Sequence, residues 1–284
     1  MAELLRGAPV AASLTEELSY RTSVLRSRGI EPTLAIVRVG ERSDDLAYER
    51  GAMKRAERVG LTVQRILLPA DCVQEELIAA IERVNADASV HGCLMFSPLP
   101  PHLDEAAARA ALDASKDVDG ITPGSLFGLY AREAVGFAPC TAEAVVELLD
   151  RSGVALEGSR VCVVGRSLVI GRPVSLMLQD RNATVTMCHT RTRNLAEECR
   201  RADVLVVAAG HAGTIGADCV SSGQVVVDVG INWDDEAGRI VGDVAFEEVE
   251  PLVRAITPVP GGVGAVTTAV LAKHVVEAAE RASA

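Results

Sequence analysis

Aromatic side chains are scarce in this chain: they make up 3% of 284 residues, with three tyrosines, four phenylalanines and one tryptophan. A single aromatic at a polar position is therefore informative. Basic runs are missing as well, and the formal net charge is −11, which argues against nucleic acid or an anionic membrane as partner. No apolar run reaches the ~20 residues that a membrane-spanning helix requires. The opening "MAELLRGAPVAASLTEEL" alternates apolar and polar residues and lacks the continuous apolar stretch of a signal peptide. The seven cysteines show no CxxC spacing, which suits a reducing cytoplasm rather than a disulfide framework. Cys188 adjoins His189, but neighbours on a strand point to opposite faces, so the pair does not predict a metal site. Internal repeats and low-complexity tracts are absent too. These exclusions leave a cytoplasmic enzyme or small-molecule binder as the expectation.

Hydrophobic residues make up 49% and charged residues 24% of the chain, ample for a packed core and against disorder. Strand-like and helix-like stretches alternate almost throughout, the pattern of parallel sheets covered by helices. Strands are expected at "PTLAIVRVG" (32–40), "TVQRILLP" (62–69) and "VHGCLMF" (90–96), with helices near 44–60 and 74–87. The stretch "KDVDGITPGSLFGLY" (116–130) is rich in turn residues and reads as a connection. A second series starts near 141 with "TAEAVVELLDRSG" and runs through "RVCVVG", "ATVTMCH", "DVLVVAA" and "QVVVDVGIN". "WDDEAGRI" has hairpin chemistry, and a last helix is expected over about 266–281. Two α/β domains follow, with a boundary near 140.

"VCVVGRSLVIGRP" (161–173) compresses a strand, a glycine turn and a helix start into about a dozen residues. Gly165 permits the tight turn, Gly171 a close backbone approach, and Pro173 suits a first helical turn. Such a turn offers backbone donors and a positive helix end to a phosphate. The full GxGxxG pattern is lacking. An NAD site ordinarily ends the next strand with a carboxylate on the ribose, about 20 residues on. Here "ATVTMCH" runs into Thr190, Arg191, Thr192 and Arg193. Hydroxyl and guanidinium groups suit a 2′-phosphate, and with Arg166 in the loop they favour NADP.

Taken in order, "KDVDG" (116–120), "PCT" (139–141), "VVGRSLVIGRP", "ATVTMCHTRT" (183–192), "VVVDVGIN" (225–232) and "ITPVPGGVG" (256–264) closely resemble the methylenetetrahydrofolate dehydrogenase/cyclohydrolase (FolD) family over almost the whole chain. The resemblance implies an amino-terminal folate-binding domain, 1–140, to which a C-terminal helix, 266–284, returns. It implies a Rossmann-type NADP-binding domain, 141–265, with folate in a cleft between the two, and a homodimer. It further implies hydride transfer from 5,10-methylenetetrahydrofolate to NADP⁺, followed by hydrolysis of the methenyl product. By the same resemblance Tyr48 stacks on the aminobenzoyl ring and Asp119 accepts hydrogen bonds from the pterin. Arg166, Ser167 and Thr190 hold NADP phosphates, Ile231 lies on the cofactor, and Gly261, Gly262 and Gly264 line the folate cleft.

Three positions depart from the family. Its helix pattern Ser-x-x-Tyr-x-x-x-Lys is here Asp45, Tyr48 and Ala52, and its "VQLPLP" segment is "MFSPLP", with Phe96 for glutamine. The lysine and glutamine are the pair the family uses for hydrolysis, and Lys54 lies about 120° around the helix from Tyr48. The expectation is an NADP-dependent dehydrogenase whose cyclohydrolase activity is weak or absent. The conventional bifunctional enzyme, a paralogue acting on another heterocycle and a non-catalytic folate or NADP binder stay open. For Asp45, three helical positions before Tyr48, three roles stay open: electrostatic support of the cationic product, a base for water, or an acid favoured at a helix start.

Overall fold

The computed structural model describes residues 1–235 and 238–283. In chain order the elements begin with β1 (Glu3–Leu4), α1 (Gly7–Ser27), β2 (Thr33–Val39), α2 (Ser43–Val59), β3 (Thr62–Leu68), α3 (Gln74–Ala86) and β4 (Gly92–Met95). They continue as α4 (Glu105–Ala111), α5 (Pro123–Ala131), α6 (Cys140–Arg151), β5 (Arg160–Val164), α7 (Gly171–Asp180), β6 (Thr184–Cys188) and α8 (Leu195–Arg200). The last are β7 (Val204–Val207), β8 (Val225–Asp228), β9 (Asn232–Asp234), β10 (Arg239–Val241), α9 (Phe246–Val249), β11 (Ala255–Ile256) and α10 (Gly264–Ala282). The chain divides into two compact units: Ser13–Cys140 with the residues from Thr268 onward, and Met1–Ala12 with Thr141–Thr267.

The first unit is built on a parallel sheet in the order β3-β2-β4. β2 is central and buried along its whole length, which is why it reads as a nearly unbroken apolar run. Ala35, Val37, Leu77, Ile81 and Met95 belong to the core on this sheet. The exception in β2 is Arg38, 2% exposed. An unpaired charge there would be expensive. Glu49 of α2 meets it at 2.8 Å and also receives Arg65 of β3 at 2.6 Å, while Arg38 donates to the Gly40 carbonyl. This buried pair clamps α2 to the sheet one residue after Tyr48.

The second unit carries six parallel strands in the order β1-β11-β8-β7-β5-β6, a Rossmann-type arrangement. The valine-rich runs of β5, β7 and β8 are fully buried apart from the first residue of β5. Strands with both faces covered lose the alternation of a half-exposed sheet. β9 and β10 pair antiparallel through Asp234 and Arg239. Of the turn expected in "WDDEAGRI", Glu236 and Ala237 lie outside the described residues, as does Ala284, the last residue of the C-terminal helix that the sequence led us to expect. No helix among the described residues is long and apolar enough to cross a membrane.

Two features differ from the sequence reading. Residues 1–12 group with the second unit, because β1 extends its sheet by pairing Glu3 with Ala255 and Leu4 with Ile256. A two-residue strand is too short to show a period, and its partner is distant in sequence. The stretch read as a connection contains the helix α5. Thr122 caps it, accepting from the Ser125 amide at 3.1 Å, and Pro123 occupies the first turn, where a missing donor does no harm. Gly124 and Gly128 disguised it. A side chain at Gly128 would collide with the Val135 carbonyl, so this glycine serves packing rather than a turn.

Candidate active site

On the first unit, Tyr48 projects from α2 and meets Phe96 edge-on, with ring centroids 6.0 Å apart and planes at 84°. Phe96 follows β4 and donates its amide to the Val37 carbonyl at 3.1 Å. Burial pushes the Tyr48 hydroxyl well above its usual value, and the charges of Asp119 and Cys140 push the same way. The Tyr48 hydroxyl is therefore neutral and keeps its one O–H donor. Its position beside Asp119 answers why a lone aromatic stands on this helix.

Asp119 sits in the loop before α5. Asp117 orders that loop, accepting from the Ile121 amide at 3.1 Å and the Thr122 amide at 2.7 Å. Gly120 has φ +70°, and a side chain there would strike the Ala138–Pro139 backbone. With turn formation assigned to Asp117 and Gly120, the Asp119 carboxylate is left for another task. Burial raises it to about 6, seconded by Asp117, against the opposing pull of the Cys140 thiol, His274 and Arg109. The sequence singled out Asp119, carried Cys140 only inside the motif "PCT" with no role attached, and gave no sign of His274; these two come from two other helices.

The two residues on which the expected loss of hydrolysis rests are apolar and enclosed. Ala52 and Phe96 are both buried, while Lys54 is exposed. Asp45 joins the buried stripe of α2 with Glu49, Ala52 and Ala56. Burial raises its carboxyl; Arg42 and Arg38 oppose that and Asp44 adds to it. The charges acting on Tyr48 are Asp119 and Cys140 instead. The two residues that sequence spacing grouped on one helical face thus answer to different surroundings.

On the second unit, the turn from β5 into α7 leaves no room for a side chain at its two glycines. Gly165 has φ +135°, and a Cβ there would collide with the Ala208 carbonyl; one at Gly171 would collide with the Gly165 carbonyl. Ser167 accepts from the amides of Ile170 at 3.1 Å and Gly171 at 3.4 Å, ordering the start of the helix. Arg166 is exposed beside it. After β6, Thr192 accepts from the His189 amide at 2.8 Å, and His189 Nδ1 accepts from the Arg191 amide at 3.1 Å. This staple leaves Thr190 and Arg191 exposed at the strand end. Close-packed glycines, a helix start and exposed guanidinium and hydroxyl groups, with no acid over 189–193, fit a phosphorylated dinucleotide.

Ile231, Gly261, Gly262 and Gly264 line one cavity of about 270 Å³ in this unit. A Cβ at Gly262 would come within 2.7 Å of the Pro258 carbonyl and 2.8 Å of Thr257, so crowding explains that glycine, while Gly261 is held at φ +106°, a left-handed conformation that favours glycine. The sequence missed two buried aspartates that shape the surrounding loops. Asp228 accepts from the amides of Gly230 at 2.9 Å and of Asp243 and Val244 at 3.0 Å. Burial outweighs these donors and lifts its carboxyl to about 6. Asp243 accepts from the amides of Ala209 at 2.6 Å and Gly210 at 2.8 Å, and from Asn232 at 2.9 Å.

Residues 139–283 match the tetrahydrofolate dehydrogenase/cyclohydrolase NAD(P)-binding domain, and residues 5–119 match the catalytic domain of the same family. The bifunctional protein FolD of Carboxydothermus hydrogenoformans is 51% identical over 281 residues, covering 99% of this chain and 98% of that protein. The crystal structure of the bifunctional methylenetetrahydrofolate dehydrogenase/cyclohydrolase FolD from Campylobacter jejuni superposes with a TM-score of 0.95 at 40% identity, covering 99% of each chain. The Trypanosoma brucei enzyme, complexed with NADP cofactor and inhibitor, gives a TM-score of 0.91 at 36% identity, covering 99% of this chain and 98% of its own. The chain belongs to the tetrahydrofolate dehydrogenase/cyclohydrolase family.

Proposed function

We propose that the protein oxidises 5,10-methylenetetrahydrofolate to the 5,10-methenyl compound, with NADP⁺ as the preferred cofactor. The observation that carries this reading is the Asp119 carboxylate, freed from turn formation by Asp117 and set beside Tyr48. An ionised carboxylate accepts hydrogen bonds from the N–H groups of a pterin and fixes its orientation. The Tyr48 ring, braced edge-on by Phe96, offers a flat apolar face to the aminobenzoyl group. Bound NADP⁺ supplies the hydride acceptor. Arg166, Ser167, Thr190 and Arg191 hold its phosphates, while Gly165 and Gly171 let the backbone come close. The same reading places the protein in the cytoplasm as a homodimer, which light scattering of the purified chain tests.

NADP⁺ should be used with a higher kcat/KM than NAD⁺. Arg166→Ala is expected to narrow that ratio by about tenfold, the worth of one charge-assisted contact to phosphate. Equal kcat/KM for both cofactors in the parent enzyme would sink the 2′-phosphate assignment.

For the hydrolytic step, the names of the relatives favour a bifunctional enzyme over the loss expected from the altered pair. A second reading, dehydrogenase with little hydrolysis, rests on Ala52 and Phe96, neither of which can handle a proton. Following methenyl-tetrahydrofolate after its formation decides between them. Decay faster than the buffer control supports the bifunctional reading. Decay at the buffer rate supports the second, and Ala52→Lys with Phe96→Gln is then expected to raise hydrolysis by about 10²-fold.

A further inference from the structure

We infer that Asp243 is a positioning residue for the nicotinamide half of the cofactor. Its one carboxylate ties the loop after β7 to the loop after β8, and through Asn232 it holds Ile231 in place. This rests on the NADP⁺ binding proposed above.

The strand order fixes where that half lies. β5 delivers the phosphate turn at Gly165, and β6, on one side of it, delivers Thr190 and Arg191 for the 2′-phosphate. A dinucleotide crosses the carboxyl ends of the strands, so its other half extends to the opposite side, over the ends of β7 and then β8. Residues 208–210 and 229–232 stand there. The clash of a Gly165 Cβ with the Ala208 carbonyl puts the first of these loops directly against the phosphate turn. In the second, Ile231 is 71% exposed between Gly230 and Asn232, an apolar side chain turned outward at the strand end.

The Val229 amide still donates to the Val207 carbonyl at 2.8 Å as the sheet ends; past it, a side chain joins the two loops. Asp243 is fully buried. Its Oδ2 accepts from the amides of Ala209 at 2.6 Å and Gly210 at 2.8 Å, and its Oδ1 accepts from Asn232 Nδ2 at 2.9 Å. Asp243 is itself placed from β8, whose last residue, Asp228, accepts from the backbone amides of Gly230, Asp243 and Val244. Two glycines make room for this arrangement. A Cβ at Gly230 would collide with the Asp243 carboxylate, and one at Gly242 with the Asp228 carboxylate. Three donors thus converge on one buried carboxylate, and bonds of this charge-assisted kind are the stronger ones. The Ala209 and Gly210 amides belong to the backbone, whereas Asn232 reaches Asp243 by a side chain next to Ile231. Cutting that arm releases the β8 loop and leaves the β7 loop held.

Turnover and direct binding together test this. Asn232→Ala should raise the NADP⁺ Kd about 5-fold and lower the dehydrogenase kcat about 10-fold, since a small misplacement of a reacting group costs rate steeply. The Kd for 2′,5′-ADP, the adenosine half of the cofactor, should stay within about twofold of the parent, because that half lies at the distant β6 end. Asn232→Asp sets carboxylate against carboxylate and should lower kcat further still. Adding Asp243→Asn to Asn232→Asp exchanges donor and acceptor: the introduced amide accepts from Ala209 and Gly210 and donates to the introduced carboxylate. That double variant should return kcat to within about threefold of the parent. A general loosening of the fold would raise the 2′,5′-ADP Kd in step with that of NADP⁺ and would not respond to the exchange. Either result overturns the role of Asp243, as does parental kcat and Kd in both Asn232 variants. If the double variant does not fold, the contrast between NADP⁺ and 2′,5′-ADP in Asn232→Ala decides. A parent protein that binds neither NADP⁺ nor 2′,5′-ADP defeats the cofactor reading itself; one that binds both, with unresponsive variants, defeats only the positioning.

Discussion

Asp119→Asn is expected to raise the KM for 5,10-methylenetetrahydrofolate by about 10- to 100-fold and to leave the KM for NADP⁺ within about twofold. Asparagine keeps the shape and one acceptor oxygen but loses the charge, and hydrogen bonds to a charged group contribute about 1.5–3 kcal/mol. Because burial raises the parent carboxyl to about 6, substrate affinity in the parent should fall as pH drops through 6, and Asp119→Asn should lack that limb. Stability should move the opposite way. The folded chain holds this proton more tightly than the unfolded chain, whose carboxyl titrates near 3.9. Ionisation between these values therefore favours unfolding, so the stability of the parent declines as pH rises from about 4 to 6. Asp119→Asn removes this penalty: its Tm should exceed the parent's at pH 7.5 and converge with it near pH 4. Losing substrate affinity while gaining stability is the signature of a group kept for binding. An unchanged KM together with a lower Tm at pH 7.5 would mark Asp119 as a structural residue.

Glu49→Ala should produce the largest loss of stability. Arg38 and Glu49 are 2% and 6% exposed as side chains and meet at 2.8 Å. Truncating Glu49 leaves the buried Arg38 guanidinium without its ion-pair partner, although the Gly40 carbonyl still accepts from it, and breaking one side of such a pair costs about 3–5 kcal/mol. A fall in Tm of about 10 °C follows. Removing both charges, with Arg38→Met and Glu49→Leu, should recover most of the loss, because the penalty belongs to the orphaned charge rather than to the missing attraction. Arg65 also reaches Glu49, but it is 46% exposed; Arg65→Ala should change stability by less than about 1 kcal/mol. Since the clamp holds α2 one residue from Tyr48, Glu49→Ala should also raise the folate KM in whatever fraction stays folded. A denaturation midpoint within error of the parent would show that the buried pair does not anchor α2.

The sequence alone determined what is written in local periods and in ordered motifs. Valine-rich strands alternating with helical patterns specified parallel sheets, since a strand covered on both faces has few polar positions. The glycines of "VVGRSLVIGRP" marked the turn into α7, where a Cβ at Gly171 collides with the Gly165 carbonyl and one at Gly165 with the Ala208 carbonyl of the neighbouring strand end. The motifs from "KDVDG" to "ITPVPGGVG" carried the family. Composition misled at α5, where glycines needed for packing looked like turn residues. Helical spacing likewise grouped Asp45 with Tyr48, although their electrostatic partners differ. What only the tertiary structure decided involves partners far apart in sequence. β1 joins a sheet through β11, Arg38 finds Glu49 across a strand–helix packing, and Asp119 is set among Tyr48, Cys140 and His274 from three helices. None of these pairings leaves a periodic trace, because each needs only one residue of the right chemistry at one place. The raised pKa of Asp119 is the balance of such contacts and of burial, and so it exists only once the chain has folded.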